Sequence, residues 1–146
     1  MKYFFTLLLL IPLTLTGCKS ESQNLNITTE QTTPSQTLSA DGPYSGTLPC
    51  ADCPGIETTL TLYYDSSTKQ PVKYFLNETY IDQTSPLSSQ GKFTLSSKNN
   101  QTVIQIEPDD AELAKYFLQL NSNTLRQLDR NGQEYSAKLG NYDLKK

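Results

Sequence analysis

The chain has 146 residues and a formal net charge of −3, which suits one domain of ordinary size with a mildly acidic balance. That balance argues against nucleic acid as a partner, and no cluster of Lys and Arg indicates electrostatic binding to a membrane surface. The sequence contains no histidine and no tryptophan, and its one methionine is Met1. A Ser-His-Asp arrangement and an ordinary imidazole copper site are therefore excluded, and we expect the protein not to be an enzyme.

The first 17 residues are predicted to be a signal peptide. Lys2 supplies a positive charge, and residues 3–15 form an apolar stretch of signal-peptide length that is too short to cross a bilayer as a stable helix. The stretch runs into Leu15-Thr16-Gly17-Cys18. This motif resembles the bacterial lipobox, in which small residues fit the cleft of the peptidase and the cysteine thiol carries a diacylglycerol.

Cys18 is thus predicted to be the lipidation site. One acyl chain gives weak and reversible membrane binding, whereas two or more give stable anchoring. The lipobox resemblance implies that the mature cysteine carries more than two chains. Lys19 follows at the position where an aspartate would favour retention in the inner membrane. We therefore expect anchoring in the outer membrane, with the domain facing the periplasm.

Residues 18–41 are predicted to be the lipidated cysteine and a flexible tether. Serine, threonine, glutamine and asparagine dominate this segment, which buries too little apolar surface to offset the entropy lost on ordering. As a flexible coil it would span roughly 25–30 Å r.m.s.. The tether would let a folded domain, residues 42–146, stand off the membrane.

Short alternating strands are predicted throughout residues 42–146. In residues 56–65 apolar side chains occur at every second position, which is typical of a half-buried strand. Similar runs follow, separated by turn signals such as Asn99-Asn100 and Asn131-Gly132. About seven to nine such strands predict an all-β fold, a small antiparallel meander that closes into a barrel.

The segment from Tyr44 to Leu62 carries the most specific signal. It reads Tyr-Ser-Gly-Thr-Leu-Pro-Cys-Ala-Asp-Cys-Pro-Gly-Ile-Glu-Thr-Thr-Leu-Thr-Leu. This run resembles the N-terminal domain of the NlpE family, lipoproteins of copper resistance and envelope stress. The resemblance implies a lipocalin-like β-barrel and a role in stress signalling through a periplasmic sensor kinase. Larger members carry a second, OB-like domain, and we expect this chain, which stops at Lys146, to correspond to the first domain only.

Cys50 and Cys53 are the cysteines left once Cys18 is lipidated. An even number of cysteines in an exported protein favours a disulfide. Closing so small a loop would stabilise the fold by roughly 2 kcal/mol. We therefore favour a structural disulfide between Cys50 and Cys53.

Other chemistries of this Cys-x-x-Cys pair stay open. Two thiolates could hold one Cu(I) ion, although no histidine or mature methionine would assist them. A thioredoxin-like centre needs a helix after the first cysteine to lower its pKa, and Pro54-Gly55 and a strand pattern follow instead. A redox sensor without catalysis remains, and zinc would need a second pair of ligands.

An alternative function is that of a carrier. Barrels of about eight strands can hold one small ligand. In this interpretation Tyr63, Tyr64, Tyr74 and Tyr80 would line a cavity for a small apolar molecule. The carrier hypothesis predicts a sizeable cavity, and a barrel filled by its own side chains would argue against it.

Overall fold

Alternating apolar and polar residues form eight strands in residues 36–108 and 113–146, the residues that the computed structural model describes. The predicted signal peptide, Cys18 and most of the tether lie outside these residues. The strands are β1 (Leu38–Leu48), β2 (Ile56–Asp65), β3 (Pro71–Tyr80), β4 (Leu87–Lys98), β5 (Gln101–Glu107), β6 (Lys115–Asn121), β7 (Thr124–Leu128) and β8 (Asp143–Lys145).

The eight strands form one closed antiparallel barrel in sequence order, β1 to β8, with β8 returning to β1. This arrangement confirms the predicted all-β meander and its closure. The segment Pro34–Lys146 is a compact unit by itself. None of the helical segments in the described residues is long and apolar enough to cross a membrane.

The inside of the barrel is filled over most of its length by buried side chains. Alternation explains the set, because residues two apart on a strand point to the same face. On β2 Leu60 and Leu62 point inward, and on β3 Tyr74 and Leu76 do so. Among the described residues, the buried members of this inner core are Tyr44, Leu48, Leu60, Leu62, Tyr74, Leu76, Phe93, Ile104, Ile106, Phe117, Leu125 and Leu144.

A second, smaller core lies on the outer face of β5, β6 and β7. Val103, Leu118 and Leu128 are buried there, with Tyr116 and Leu120 packed against them. The long connection from β7 to β8 runs past this face, and Glu134 within it forms a β-bridge with Leu128. Outward residues of these strands are therefore covered, which breaks the simple alternation of buried and exposed positions.

The two ends of the barrel differ in their connections. One end, here called the turn end, holds the tight connections 66–70, 99–100 and 122–123. The opposite loop end holds the longer connections, including residues 49–55, 81–86 and 129–142. This separation follows from the meander, since successive antiparallel connections alternate between the two ends.

The first strand begins at Leu38, before the expected start of the barrel domain at residue 42. Leu38 pairs with Asp65 and Ala40 with Tyr63, so this part of the predicted tether belongs to the sheet. Asp41-Gly42-Pro43 has the composition of a strand breaker. The strand nevertheless continues through it, with a shift of register between Asp41 and Tyr44.

Candidate functional site at the loop end of the barrel

The predicted disulfide between Cys50 and Cys53 is present, with their Cα atoms 5.3 Å apart. It closes the loop between β1 and β2, and both cysteines are half-buried while Ala51 and Asp52 are exposed. The Cys53 sulfur lies 3.4 Å from the carbonyl oxygen of Gly55. A disulfide sulfur has no proton to donate, so this approach is a packing contact.

Both flanks of the disulfide loop pack against neighbouring connections. A β-carbon on Gly55 would lie 2.6 Å from Cγ2 of Thr47, and the Gly55 carbonyl accepts a hydrogen bond from the backbone N–H of Ile81 at 3.1 Å. On the other flank, a β-carbon on Gly140 would lie 2.7 Å from Cγ of Pro49. Three loop-end connections are therefore held together, with the exposed Ala51-Asp52 tip between the flanks.

The connection 129–142 is itself anchored by charge and by aromatic stacking. Arg126 donates to both carboxylate oxygens of Asp143, at 2.7 and 3.2 Å, and to Glu134 at 2.8 Å. These hydrogen bonds raise the pKa of the Arg126 guanidinium, Asp143 contributing most. The rings of Tyr135 and Tyr142 stack with their centroids 4.0 Å apart. The connection 129–142 is thus held in place beside the disulfide loop.

A cavity of about 330 Å³ opens at the loop end between β3 and β6. Alternate residues of β3 line it, since Tyr74, Leu76, Glu78 and Tyr80 share the inner face. The remaining lining residues are Leu87, Ser88, Ser89, Ile106, Pro108, Leu113 and Lys115. The barrel interior is therefore filled in its middle and open at this end.

An ion pair crosses the inside of the barrel at this cavity. The Lys115 ammonium on β6 bonds the Glu78 carboxylate on β3, although two strands separate them in the sheet. The Lys115 side chain is 28% exposed and the Glu78 side chain 16%. The pair places opposite charges in the same partly buried space, where they compensate each other.

The turn end is closed by a different polar cluster. The Tyr44 hydroxyl donates to the Asp41 carboxylate, whose oxygens lie 3.0 and 3.1 Å away, and Lys146 forms an ion pair with Asp41. Tyr64 packs edge-on against Phe93 with ring centroids 5.2 Å apart. Burial raises the pKa of the Tyr64 hydroxyl to about 12, and the Asp41 charge acts in the same direction.

The four tyrosines predicted to line a cavity lie in three different places. Tyr74 and Tyr80 line the loop-end cavity. Tyr64 belongs to the turn-end packing, and Tyr63 lies on the outer face with the Lys73 ammonium 5.3 Å from its ring. Glu78 and Lys115 were not predicted to be site residues. The inward position of each follows the strand pattern, because each occurs in phase with apolar residues that point to the core, but the pattern does not indicate that the two pair with each other.

The disulfide also bears on the copper hypothesis for Cys50 and Cys53. Cu(I) is bound by thiolates, and both sulfur atoms are consumed by the bond between them. Within residues 36–108 and 113–146, no cluster of three or more His, Cys, Asp or Glu side chains could hold a metal ion. The oxidised loop therefore does not fit a copper or zinc ion. A strand, β2, follows the pair, so no helix is placed to activate Cys50.

These features define a class of protein: a small, closed, up-and-down β-barrel with a disulfide-closed loop at its loop end. The profile of the NlpE N-terminal domain matches residues 44–138, and the chain belongs to that family. The resemblance seen in Tyr44–Leu62 is confirmed.

The chain is also similar to the lipoprotein NlpE of Escherichia coli (strain K12). The two are 27% identical over 134 residues, which make up 90% of this chain and 50% of the relative. The chain thus spans about half the length of the curated relative that it matches. No solved structure matches the chain significantly.

Proposed function

We propose that this chain is a non-enzymatic, lipid-anchored protein of the outer membrane that presents the loop end of its barrel to a periplasmic partner. The partner would be a protein such as a sensor kinase, and the outcome would be envelope-stress signalling with increased copper tolerance. Membership of the NlpE N-terminal domain family and similarity to a named lipoprotein support this proposal. The Leu15-Thr16-Gly17-Cys18 motif supports lipid attachment at Cys18.

One observation carries the proposal: the described chain enters the barrel at the end opposite the disulfide loop. Thr37 accepts a hydrogen bond from the backbone of Ser66 at 2.9 Å, and the Gln36 amide donates to Asp65 at 3.0 Å. Both contacts lie at the turn end. β1 then runs for 11 residues, roughly 35 Å at the usual rise of a strand, to the loop that holds Cys50. A lipid tether would therefore join the barrel at the turn end and leave the loop end free to meet a partner.

In this proposal copper acts as a stimulus and the protein does not capture it. The disulfide fixes the shape of the loop-end surface, and the exposed Ala51 and Asp52 form its tip. A partner would recognise this surface together with the neighbouring 129–142 connection. Copper tolerance would then depend on signalling through the partner and on the tether that allows the barrel to reach it.

Anchoring is tested by labelling cells with radioactive palmitate and fractionating their membranes. We expect the wild-type chain to carry the label and to sediment with the outer membrane. Cys18→Ala should lose the label, while Cys50→Ala in the same experiment should keep it. A label that survives Cys18→Ala, or a wild-type chain in the inner membrane, would contradict the proposed anchoring.

Partner contact is tested in the full, lipidated chain with a photo-crosslinking amino acid at one exposed position at a time. Ala51 reports on the loop end, and Ser67 is the matched exposed position at the turn end. We expect a crosslinked protein partner from position 51 when cells are stressed by copper or by blocked lipoprotein trafficking. Crosslinking from position 67 alone, or from neither position, would count against the proposed surface.

A further inference from the structure

The loop-end cavity has the size and lining of a small-molecule site. Ligand cavities commonly measure about 300–1,000 Å³ and combine apolar walls with a few polar groups. At about 330 Å³ this cavity lies at the small end of that range. Its walls come from four consecutive strands, β3 to β6, with Leu76 and Ile106 among the apolar lining residues.

Exposed apolar side chains also occur at this cavity. Leu87 is 57% exposed and Leu113 is 62% exposed, and both belong to its lining. Scattered exposed leucines are ordinary, but two that line the same concave site provide apolar surface that an occupant would cover. The cavity therefore has an apolar lining both inside and towards solvent.

The charged residues of the lining are Glu78 and Lys115, and they are already paired with each other. A lysine ammonium carries three N–H donors and a carboxylate has two oxygens, so the pair keeps free hydrogen-bonding capacity after its mutual bond forms. A charged ligand would have to compete with one member of the pair for the other. An uncharged polar group can bond to the pair without disrupting it.

We propose that the loop-end cavity binds one small, mostly apolar molecule with a single uncharged hydrogen-bonding group, such as a hydroxyl. The apolar body would pack against Leu76, Ile106 and Leu87. The hydroxyl would bond to the Glu78–Lys115 pair. This site is separate from the disulfide loop and does not depend on the proposed signalling role.

The first test uses the fluorescent probe N-phenyl-1-naphthylamine with the compact unit, residues 34–146, prepared without lipid or detergent. We expect saturable fluorescence enhancement from the wild type. Ser89→Trp should fill the cavity and weaken probe binding about tenfold or more, a difference of about 1.4 kcal/mol. Gln90→Trp is the matched control, because Ser89 lines the cavity whereas Gln90 pairs with Phe75 on the outer face.

Each variant is checked by circular dichroism, and Ser89→Leu replaces Ser89→Trp if the larger side chain prevents folding. The absence of saturable enhancement in the wild type would overturn the proposal. Equal binding by the Ser89 and Gln90 variants would also overturn it, because the probe would then bind elsewhere on the surface.

The second test concerns the chemistry of the polar group. At neutral pH 2-naphthol is uncharged and 2-naphthoate is an anion of similar shape, and each is measured as a competitor of the probe. We expect the wild type to prefer 2-naphthol. Glu78→Gln leaves the Lys115 charge uncompensated, so it should shift the preference towards 2-naphthoate by about tenfold. An unchanged ratio of the two affinities would show that the pair does not contact the ligand and would refute the proposed chemistry.

Discussion

Gly46 of β1 lies directly against the backbone of Asp143 in β8, so that a β-carbon on Gly46 would lie 2.7 Å from the Asp143 carbonyl oxygen. This approach is part of the seam that closes the barrel. The registered pairing across the seam consists of Ser45 with Lys145, which is far shorter than the pairing of β1 with β2. Close backbone packing at Gly46 therefore joins the first and last strands alongside the ion pair between Lys146 and Asp41.

Gly46→Ala is expected to lower the free energy of unfolding by about 2 kcal/mol, because the added methyl group overpacks the seam. Urea denaturation followed by circular dichroism measures the change. Ser39→Ala on the same strand is the control, since Ser39 is exposed and should change stability little. A Gly46→Ala barrel as stable as the wild type would show that the seam can widen without cost.

Removal of the disulfide is expected to cost roughly 2 kcal/mol of stability, the value for closing a short loop. The Cys50→Ser/Cys53→Ser variant should unfold at lower urea than the oxidised wild type. A reducing agent should lower the wild-type midpoint towards that of the variant and leave the variant unchanged. If the reducing agent leaves the wild-type urea midpoint unchanged, the disulfide does not stabilise the fold.

Tyr74 and Tyr44 are both fully buried but differ in their hydroxyl groups. Within residues 36–108 and 113–146 the Tyr74 hydroxyl has no hydrogen-bond partner, whereas the Tyr44 hydroxyl bonds to Asp41 at 3.0 Å. A buried polar group without a partner destabilises a fold by about 1–3 kcal/mol. Tyr74→Phe should therefore stabilise the barrel by about that amount, and Tyr44→Phe should destabilise it by about 1 kcal/mol. Thermal unfolding of the two variants makes the comparison, and the same sign of change in both would refute the assignment.

Because of Asp65, we expect the free energy of unfolding to depend on pH in the acid range. Its carboxylate accepts hydrogen bonds from the backbone of Thr68 at 2.7 Å, from the amide of Gln36 and from the backbone of Ser67, and these lower its pKa to about 2. A pKa that is lower in the folded state than in the unfolded state contributes stability above the unfolded pKa. That contribution is lost as the pH falls towards the folded value.

The stability difference between the wild type and Asp65→Asn should thus be constant near neutral pH and shrink between about pH 4 and pH 2. Urea unfolding at several pH values measures it. Asp52→Asn provides the control, because Asp52 lies on the exposed tip of the disulfide loop. A difference for Asp65→Asn that does not depend on pH would contradict the lowered pKa.

Local pattern was sufficient to predict the strands but not the polar contacts between them. Leu60 and Leu62 indicate the inner face of β2, because side chains two residues apart on a strand point to the same face. Val103 and Ile104 are adjacent and both buried, because Val103 packs on the outer face with Leu118 and Leu128 while Ile104 belongs to the inner core. Alternation within one strand carries no information about such packing on the outer face.

The candidate site likewise contains one feature that the sequence predicts and one that it does not. The disulfide could be predicted, because Cys50 and Cys53 are close in sequence and exported proteins oxidise such pairs. The Glu78–Lys115 pair could not, because these residues lie on strands that meet only through the curvature of the closed barrel. Which side chains converge inside a barrel depends on the register of pairing between its strands, and the sequence of a single strand does not determine that register.

The opposite placement of Gln36 and the disulfide loop has a mechanical consequence. If the membrane pulled on residue 36 while a partner held the loop end, the force would act along the axis of β1. The hydrogen bonds between β1 and β2, registered from Leu38 to Leu48, would then be loaded together in shear. Hydrogen bonds loaded together in shear share the force, whereas the hydrogen bonds of two strands that are peeled apart from one end break one after another. If the proposed anchoring holds, the barrel would therefore resist a pull directed along β1.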